Sequence, residues 1–345
     1  MEGKEENMAV GRYHRQEIFY PIGPEGQKKL QHARVCIIGI GALGASVANM
    51  LAQAGVGYLR LVDRDIVELT NLQRQALFTE EDVEQQLPKA EAARAHIAQM
   101  NSEIEIEAKI IDVNPHNIEK LITDVDIVVD GLDNLETRYL LNEACDKHGI
   151  RYVYGGVVGS GGMVMNVLPG EGPCLECLLG PLPEEGSYDT CDTVGVISPI
   201  TNIVASYEAA ETMKILLGSE SVCRQAISLD AWDSYTEFFD VDKDPECPVC
   251  GKHQYERLEH RQKSYTASLC GHDAYQVTPE DDGSFDYEAV VKALEADGDV
   301  KKNKFFTTFK NDEADFKLFP DGRAIINGVP SGEEAQTIFA KYIDR

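Results

Sequence analysis

The run Arg34-Val-Cys-Ile-Ile-Gly39-Ile-Gly41-Ala42-Leu-Gly44 decides the fold. Its first half is apolar and β-branched and reads as a short buried strand. Its second half, G-x-G-x-x-G, opens an apolar helix that continues through Ala54. Glycines in such a turn let the backbone approach phosphate, and the helix N-terminus adds unpaired N–H groups and a positive dipole. Leu59-Arg-Leu-Val-Asp63 is the next strand, and Asp63 ends it at the spacing where a carboxylate binds ribose hydroxyls. This much is a Rossmann-type start, and the loop alone also fits a tight strand-to-helix turn without a ligand.

The residues that follow depart from a dinucleotide enzyme. Asp65-Ile-Val-Glu-Leu-Thr-Asn71-Leu-Gln-Arg74-Gln75 places an amide, a guanidinium and a second amide beside the expected phosphate position, and Lys89 follows Leu87-Pro88 at a helix start. Cations aimed past the first phosphates have little use in dinucleotide binding. A triphosphate attacked at its α-phosphorus needs that neutralisation. Asp133 lies just after the buried strand Asp126–Asp130, where ligands bind in open α/β sheets, and is a candidate to hold Mg2+. Capping the helix Leu135–His148 is its alternative role, and Arg138 reads as a support for Asp133 or as helix surface.

Cys174-Leu-Glu-Cys177 and Cys247-Pro-Val-Cys250 are two C-x-x-C pairs, enough for a four-thiolate zinc site with no open position. Their separation of about 70 residues makes the metal a staple between distant segments, with buried free thiols as the alternative. Cys191 lies between the pairs in a polar loop, Glu184 to Val196, where a thiol can be reactive or plain.

These pieces resemble the ThiF/MoeB/HesA group, the bacterial relatives of ubiquitin-activating enzymes. The resemblance rests on Arg12-Tyr-His-Arg15-Gln16, Gly39 to Gly44, Asp63-Arg-Asp65, Asn71-Leu-Gln-Arg74-Gln75, Pro88-Lys89, Asp133-Asn134 and the cysteine pairs, in the family's order over about three quarters of the chain. Ala42 stands where many members carry Gly. The resemblance implies ATP, Mg2+ and Zn2+ as cofactors and a homodimer in which Arg15 reaches the partner's ATP phosphates, as an arginine finger does. It further implies adenylation of the C-terminal glycine of a ubiquitin-like sulfur-carrier protein, served by a sulfur donor such as a cysteine desulfurase or rhodanese-type protein. Arg15, Arg74, Lys89, Asp133 and Cys191 would act on the reaction. Gly39, Gly41, Ala42, Gly44, Asp63, Asp65, Asn71, Gln75 and Asn134 would hold the nucleotide. The Asp63-Arg-Asp65 centre and Thr-Cys191-Asp-Thr favour the thiamine-thiazole carrier over the molybdopterin carrier.

Composition sets the limits. With 345 residues and 43% hydrophobic content the chain can bury a full core. A formal charge of −27 argues against nucleic acid and anionic membrane as partners. The polar start, Met1 to Val10, lacks the apolar core of a signal peptide, and a cytoplasmic protein is expected. Nine cysteines there are ligands, nucleophiles or buried thiols rather than a disulfide framework.

The expected architecture is α/β: a Rossmann-like, mainly parallel sheet extended by antiparallel strands over residues 1–254, then a small α+β domain over 255–345. Glu80 to Met100 reads as helical, Gly159-Ser-Gly-Gly162 as a hairpin turn, Ser198 to Leu217 as a core helix and Trp232 as a packing residue. In the tail, Phe285 to Ala296 reads as a helix. Three short strands follow, and Ser331-Gly-Glu-Glu334 is a capping box. Two other readings share the first βαβ unit: an NAD-dependent oxidoreductase, which leaves Arg74, Lys89 and the cysteine pairs unexplained, and a non-catalytic carrier- or peptide-binding module.

Overall fold

The structure is a computed structural model that describes residues 11–184, 186–259, 264–268, 274–279 and 285–344. The polar lead-in read at Met1 to Val10 lies outside the described residues. The chain divides into two compact units, residues 1–113 with 117–255, and residues 114–116 with 256–345.

The first unit begins with α1 (His14–Glu17) and α2 (Gly23–His32), then β1 (Arg34–Ile38), α3 (Ala42–Gln53) and β2 (Tyr58–Val62). Next come α4 (Glu80–Glu84), α5 (Lys89–Met100), β3 (Glu105–Lys109), α6 (Ile118–Ile122), β4 (Ile127–Asp130) and α7 (Leu135–His148). The hairpin β5 (Arg151–Val158) and β6 (Gly161–Val167) leads to α8 (Leu175–Leu179), α9 (Cys191–Val194), α10 (Ser198–Leu217), β7 (Ala226–Asp230) and β8 (Tyr235–Phe239).

These eight strands form one sheet in the order β3-β2-β1-β4-β5-β6-β7-β8. The first five are parallel and the last three join them antiparallel. The order reverses beside β1, between its neighbours β2 and β4, so the loops leaving β1 and β4 meet at the crevice where open α/β sheets bind ligands. Strands β1, β2 and β4 read as continuous apolar runs because parallel strands are covered on both faces. Ile37, Leu61 and Val129 pack with Val47, Ala48 and Leu51 of α3 and with Val204 and Ala205 of α10, all 0% exposed.

The expected helix over Glu80 to Met100 is two helices. Pro88 cannot continue a helix, and the segment before it pairs instead with the chain after β2: Val67 N–H donates to Leu87 O (2.9 Å) and Lys89 N–H to Asp65 O (2.9 Å). Tertiary pairing therefore overrides local helix propensity and draws Lys89 to Asp65. The hairpin at Gly159 is as expected, with Gly159 at φ +63°. Trp232 does not pack: it is 78% exposed, in the turn between β7 and β8.

The second unit contains α11 (Glu256–Glu259), β9 (Ser264–Ser268), β10 (Ala274–Pro279), α12 (Tyr287–Leu294), β11 (Asp299–Lys302), β12 (Thr307–Lys310), β13 (Asp315–Leu318), β14 (Ala324–Asn327) and α13 (Gly332–Tyr342). Its sheet is antiparallel throughout, ordered β11-β12-β13-β14-β10-β9. Phe309 and Phe316 stack at 4.8 Å between ring centroids in a core shared with Phe339 and Tyr342. Ser331 caps α13 by accepting from Glu334 N–H (3.3 Å). Strands β9, β10 and β11 are additions to the sequence reading. Asp299-Val-Lys-Lys302 lacks apolar alternation, and as an edge strand it needs none.

Candidate active site

The glycine loop joins β1 to α3, and its three glycines have different reasons. Gly39 sits at φ +87°, and a Cβ on it would lie 2.5 Å from the Gly131 backbone. At Gly44 a Cβ would lie 1.8 Å from Gly39 O. Both are imposed by the fold. Gly41 is not: its Cβ would meet only Gln75 Nε2 at 3.8 Å and Gly131 O at 3.9 Å. The space over Gly41 is left open by the protein, as an approaching phosphate requires. Ala42 is the first residue of α3, in ordinary helical backbone.

Asp63 is 9% exposed at the end of β2 and already carries the loop. Its Oδ2 accepts from Ile40 N–H (2.6 Å) and its Oδ1 from Asp65 N–H (2.7 Å). Burial, aided by Asp65, pushes its carboxyl up to about 6, with Lys89 and the two N–H groups pulling the other way. Lys89 Nζ pairs with Asp65 Oδ2 at 2.9 Å. Burial opposes the Lys89 charge, but Asp65 and Asp63 outweigh it and hold the ammonium above the usual lysine value.

Asn71 is buried in a short 3-10 turn, Leu69–Asn71, where its side-chain oxygen accepts from Glu68 N–H at 3.0 Å. That turn sets Gln75, whose N–H donates to Asn71 O (2.9 Å) and whose side chain is 3% exposed. Gln75 Oε1 is buried with no hydrogen-bond partner among the described residues, and the same amide's Nε2 lies beside Gly41. Arg74 is half-buried and donates to Thr70 O at 3.1 Å. An orphaned amide oxygen, the Lys89 ammonium and a helix N-terminus without a side-chain cap are groups that a nucleotide phosphate and base can use; among the described residues Arg74 contacts only its own turn.

Asp133 is exposed in the loop after β4 and does not cap α7. Asn134 is the cap, accepting from Thr137 N–H at 2.9 Å. Asn is the stronger choice because it occupies the Ncap position itself, one residue closer to the helix. Asp133 acts electrostatically on Arg64 and Lys89, which places a carboxylate at the cationic end of the site, as a Mg2+ ligand shared with phosphates would be.

Arg138 is not helix surface, and it does not touch Asp133 directly: its partners are Asp130, Leu132 O and Gly155 O. It is 7% exposed and pairs with Asp130 at 3.1 Å. Two other groups were not singled out from the sequence. Arg64 binds Asp112 at 2.9 Å, and its only local signal was its place between two aspartates. Glu208, 0% exposed on α10, lies so close to β5 that a Cβ on Gly155 would come within 2.3 Å of its carboxyl carbon. Burial, then Asp130, raises its carboxyl well above the usual range, with Arg138 opposing.

Arg15 is not brought to this chain's own site. Helix α1 is tied to the C-terminal end of α3, where Gln16 Nε2 donates to Ala54 O at 2.8 Å. The length of α3 puts that point about 18 Å from the glycine loop. Cys191 opens α9 rather than lying in an irregular loop. Thr190 caps this short helix, and the thiol donates to Val157 O at 3.3 Å.

Cys174, Cys177, Cys247 and Cys250 converge, with all four sulfur atoms within 4.8 Å of one another. The pairs Cys174–Cys247 and Cys177–Cys250 are 3.6 and 3.4 Å apart. A tetrahedron with metal–sulfur bonds of ~2.3 Å has edges of roughly 3.8 Å, so the residues fit zinc. Asn142 accepts from Leu175 N–H (3.0 Å), and Asp146 binds His253 (2.8 Å) and Tyr255 (2.9 Å), so α7 carries both cysteine segments.

The sequence profile described as the ThiF family matches residues 13–249. The Sulfur carrier protein ThiS adenylyltransferase of Bacillus subtilis is 42% identical over 338 residues, covering 97% of this chain and 99% of the relative. The SAMP-activating enzyme E1 of Haloferax volcanii is 38% identical over 72% of this chain and 92% of its own length. Among solved structures, E. coli MccB with ATP superposes with a TM-score of 0.61 at 26% identity, over 70% of this chain and 75% of that one. Among the described residues no helix is long and apolar enough to cross a membrane. With its glycine loop, its cationic cluster and its four converging thiols on that fold, the chain belongs to the ThiF family.

Proposed function

We propose that this protein uses ATP to adenylate the C-terminal glycine of a ubiquitin-like sulfur-carrier protein, with the thiamine-thiazole carrier favoured and the molybdopterin carrier next. The observation that carries the reading is the similarity to the Bacillus subtilis enzyme, which runs through both units at 97% of this chain. Other relatives, the Escherichia coli enzyme of the same name among them, align over 70–72% of this chain. The thiazole carrier is favoured by the Asp63-Arg-Asp65 centre and the Thr-Cys191-Asp-Thr run.

The carrier carboxylate attacks the α-phosphorus of ATP, the bond to the bridging oxygen breaks, and pyrophosphate leaves. The chain's part is positioning and charge stabilisation. The α3 N-terminus and the open face of Gly41 receive phosphate. Asp63 and Gln75 accept hydrogen bonds from the nucleoside, and Asn71 fixes the turn that aims Gln75 and Arg74. Lys89 and Arg74 neutralise negative charge as pyrophosphate departs, and Asp65 and Asn134 keep Lys89 and the Asp133 loop in place. Asp133 would hold Mg2+, which when bound neutralises phosphate charge. Zn2+ held by the four thiolates is structural, since no coordination position remains open. In a homodimer, Arg15 of one protomer completes the partner's site. Cys191 stands apart from the adenylation step, and its place is in sulfur transfer from the donor protein.

ATP–pyrophosphate exchange, measured with each carrier separately, tests the reading. Exchange with the thiazole carrier alone is expected. Exchange with the molybdopterin carrier alone would transfer the assignment to that pathway, and exchange with neither would refute the adenylation of a sulfur carrier.

A further inference from the structure

The loop 131–134 is held from inside the fold. Arg138 reaches three elements at once: Nε contacts both oxygens of Asp130 at the end of β4 (3.3 and 3.1 Å), while Nη2 donates to Leu132 O in the loop and to Gly155 O in β5 (2.8 Å). Asp130, fully buried, also accepts from Leu132 N–H at 2.8 Å and from the Tyr152 hydroxyl. Leu132 is therefore clasped through both of its peptide groups, and the next residue is Asp133. The same loop abuts the nucleotide loop, since a Cβ on Gly131 would lie 2.0 Å from Gly39 O.

We propose that Arg138 is a positioning residue that sets the Mg2+ affinity of the Asp133 loop, acting through Leu132 without touching metal or nucleotide. This rests on the reading above that Asp133 holds Mg2+. A guanidinium is required because its planar fork can serve one carboxylate and two carbonyls together. A lysine keeps the charge opposite Asp130 but cannot span all three. Groups that orient a metal ligand in this way are worth about 10–100-fold in metal affinity.

The experiment is calorimetric ATP binding to the full-length, zinc-loaded Arg138→Lys variant. It is run across a Mg2+ series and in magnesium-free buffer without chelator, so that the thiolate site stays intact. The Mg2+ concentration for half-maximal enhancement of ATP binding should rise about tenfold, with magnesium-free ATP affinity within about twofold of the parent. If Arg138→Lys lacks a cooperative thermal transition, the neutral pair Asp130→Asn/Arg138→Gln is measured instead, with the same expectation. Equal loss with and without Mg2+ would mean a merely structural role and overturn the proposal, as would an unchanged Mg2+ requirement. A parent protein whose ATP binding ignores Mg2+ would overturn the Asp133 assignment as well. No carrier is needed, so failure of the carrier assignment is read separately.

Discussion

At its N-terminal end helix α7 meets a loop whose carboxylate, Asp133, is exposed and acts electrostatically on Lys89 and Arg64; at its C-terminal half the same helix meets four thiols packed within 4.8 Å. Both ends gather residues from distant segments. The first leaves groups incompletely satisfied, such as Gln75 Oε1 and the open face of Gly41. The second closes on itself: Asn142 Oδ1 and Asp146 bind the cysteine segments, and the one amide nitrogen left over, Asn142 Nδ2, lies beside the Cys174 sulfur. Reaction sites keep unspent hydrogen-bonding and charge capacity for a ligand, whereas a structural metal site spends all of it on the fold.

Removing Lys89 or Asp133 should separate the two ends most sharply. Lys89→Ala and Asp133→Ala are each expected to lower ATP–pyrophosphate exchange by about 10²–10³-fold. Circular dichroism and zinc content should stay as in the parent. Full activity in both variants would remove these residues from the reaction.

The reverse signature is expected at the other end. Cys250→Ser should lose the metal, read by elemental analysis, and lower the melting temperature by on the order of 10 °C. Exchange below the new melting temperature should persist, and its abolition in a folded variant would make the zinc site part of the reaction.

A smaller effect sharpens the nucleotide end alone. The Asp63 carboxyl is raised to about 6, so the folded protein binds its proton more tightly than the unfolded chain. Its ionised form thus costs stability at neutral pH, and that cost shrinks as pH falls below about 6 and is gone below the ordinary value of 3.8. Protonation converts one oxygen from acceptor to donor against Ile40 or Asp65 N–H, so ATP binding should weaken below pH 6 even as the carboxyl itself becomes less costly. Asp63→Asn should bind ATP more weakly at pH 7 and show a flatter profile between pH 5 and 7. Comparing the two cancels the titration of ATP itself, and identical slopes would rule out Asp63 as the titrating group.

The smallest effect concerns a residue at neither end. Cys191→Ser should leave exchange within about twofold of the parent, because adenylation needs no thiol nucleophile. Loss of sulfur transfer to the carrier in the same variant would place the thiol after adenylation.

The candidate site was legible where chemistry is written in local order. Gly39 to Gly44, Asp63, Asn71 to Gln75, Lys89 and the cysteine pairs each announce a backbone conformation or a ligand set at fixed spacing. Arg138 reads from sequence as either a support for Asp133 or helix surface, and only the arrival of β4 and β5 on both sides removes the surface alternative and makes it an internal clasp. Trp232 was misread because an aromatic residue between two strands ordinarily packs, and here the turn points it outward. Glu208 was not singled out because the run Ser198 to Leu217 reads as an ordinary core helix.

The sequence by itself determined the parallel βαβ start, the glycine turn, the hairpin at Gly159 and the identity of the four thiolates, because torsional preference and ligand chemistry act over a few residues. Tertiary structure alone decided that the segment before Pro88 pairs with the chain after β2 and so brings Lys89 to Asp65, that Asn134 rather than Asp133 caps α7, and that Asp130, Arg138 and Leu132 form one buried clasp. Those outcomes depend on which segments meet. A buried charge or peptide group must find its partner wherever the folded chain places one.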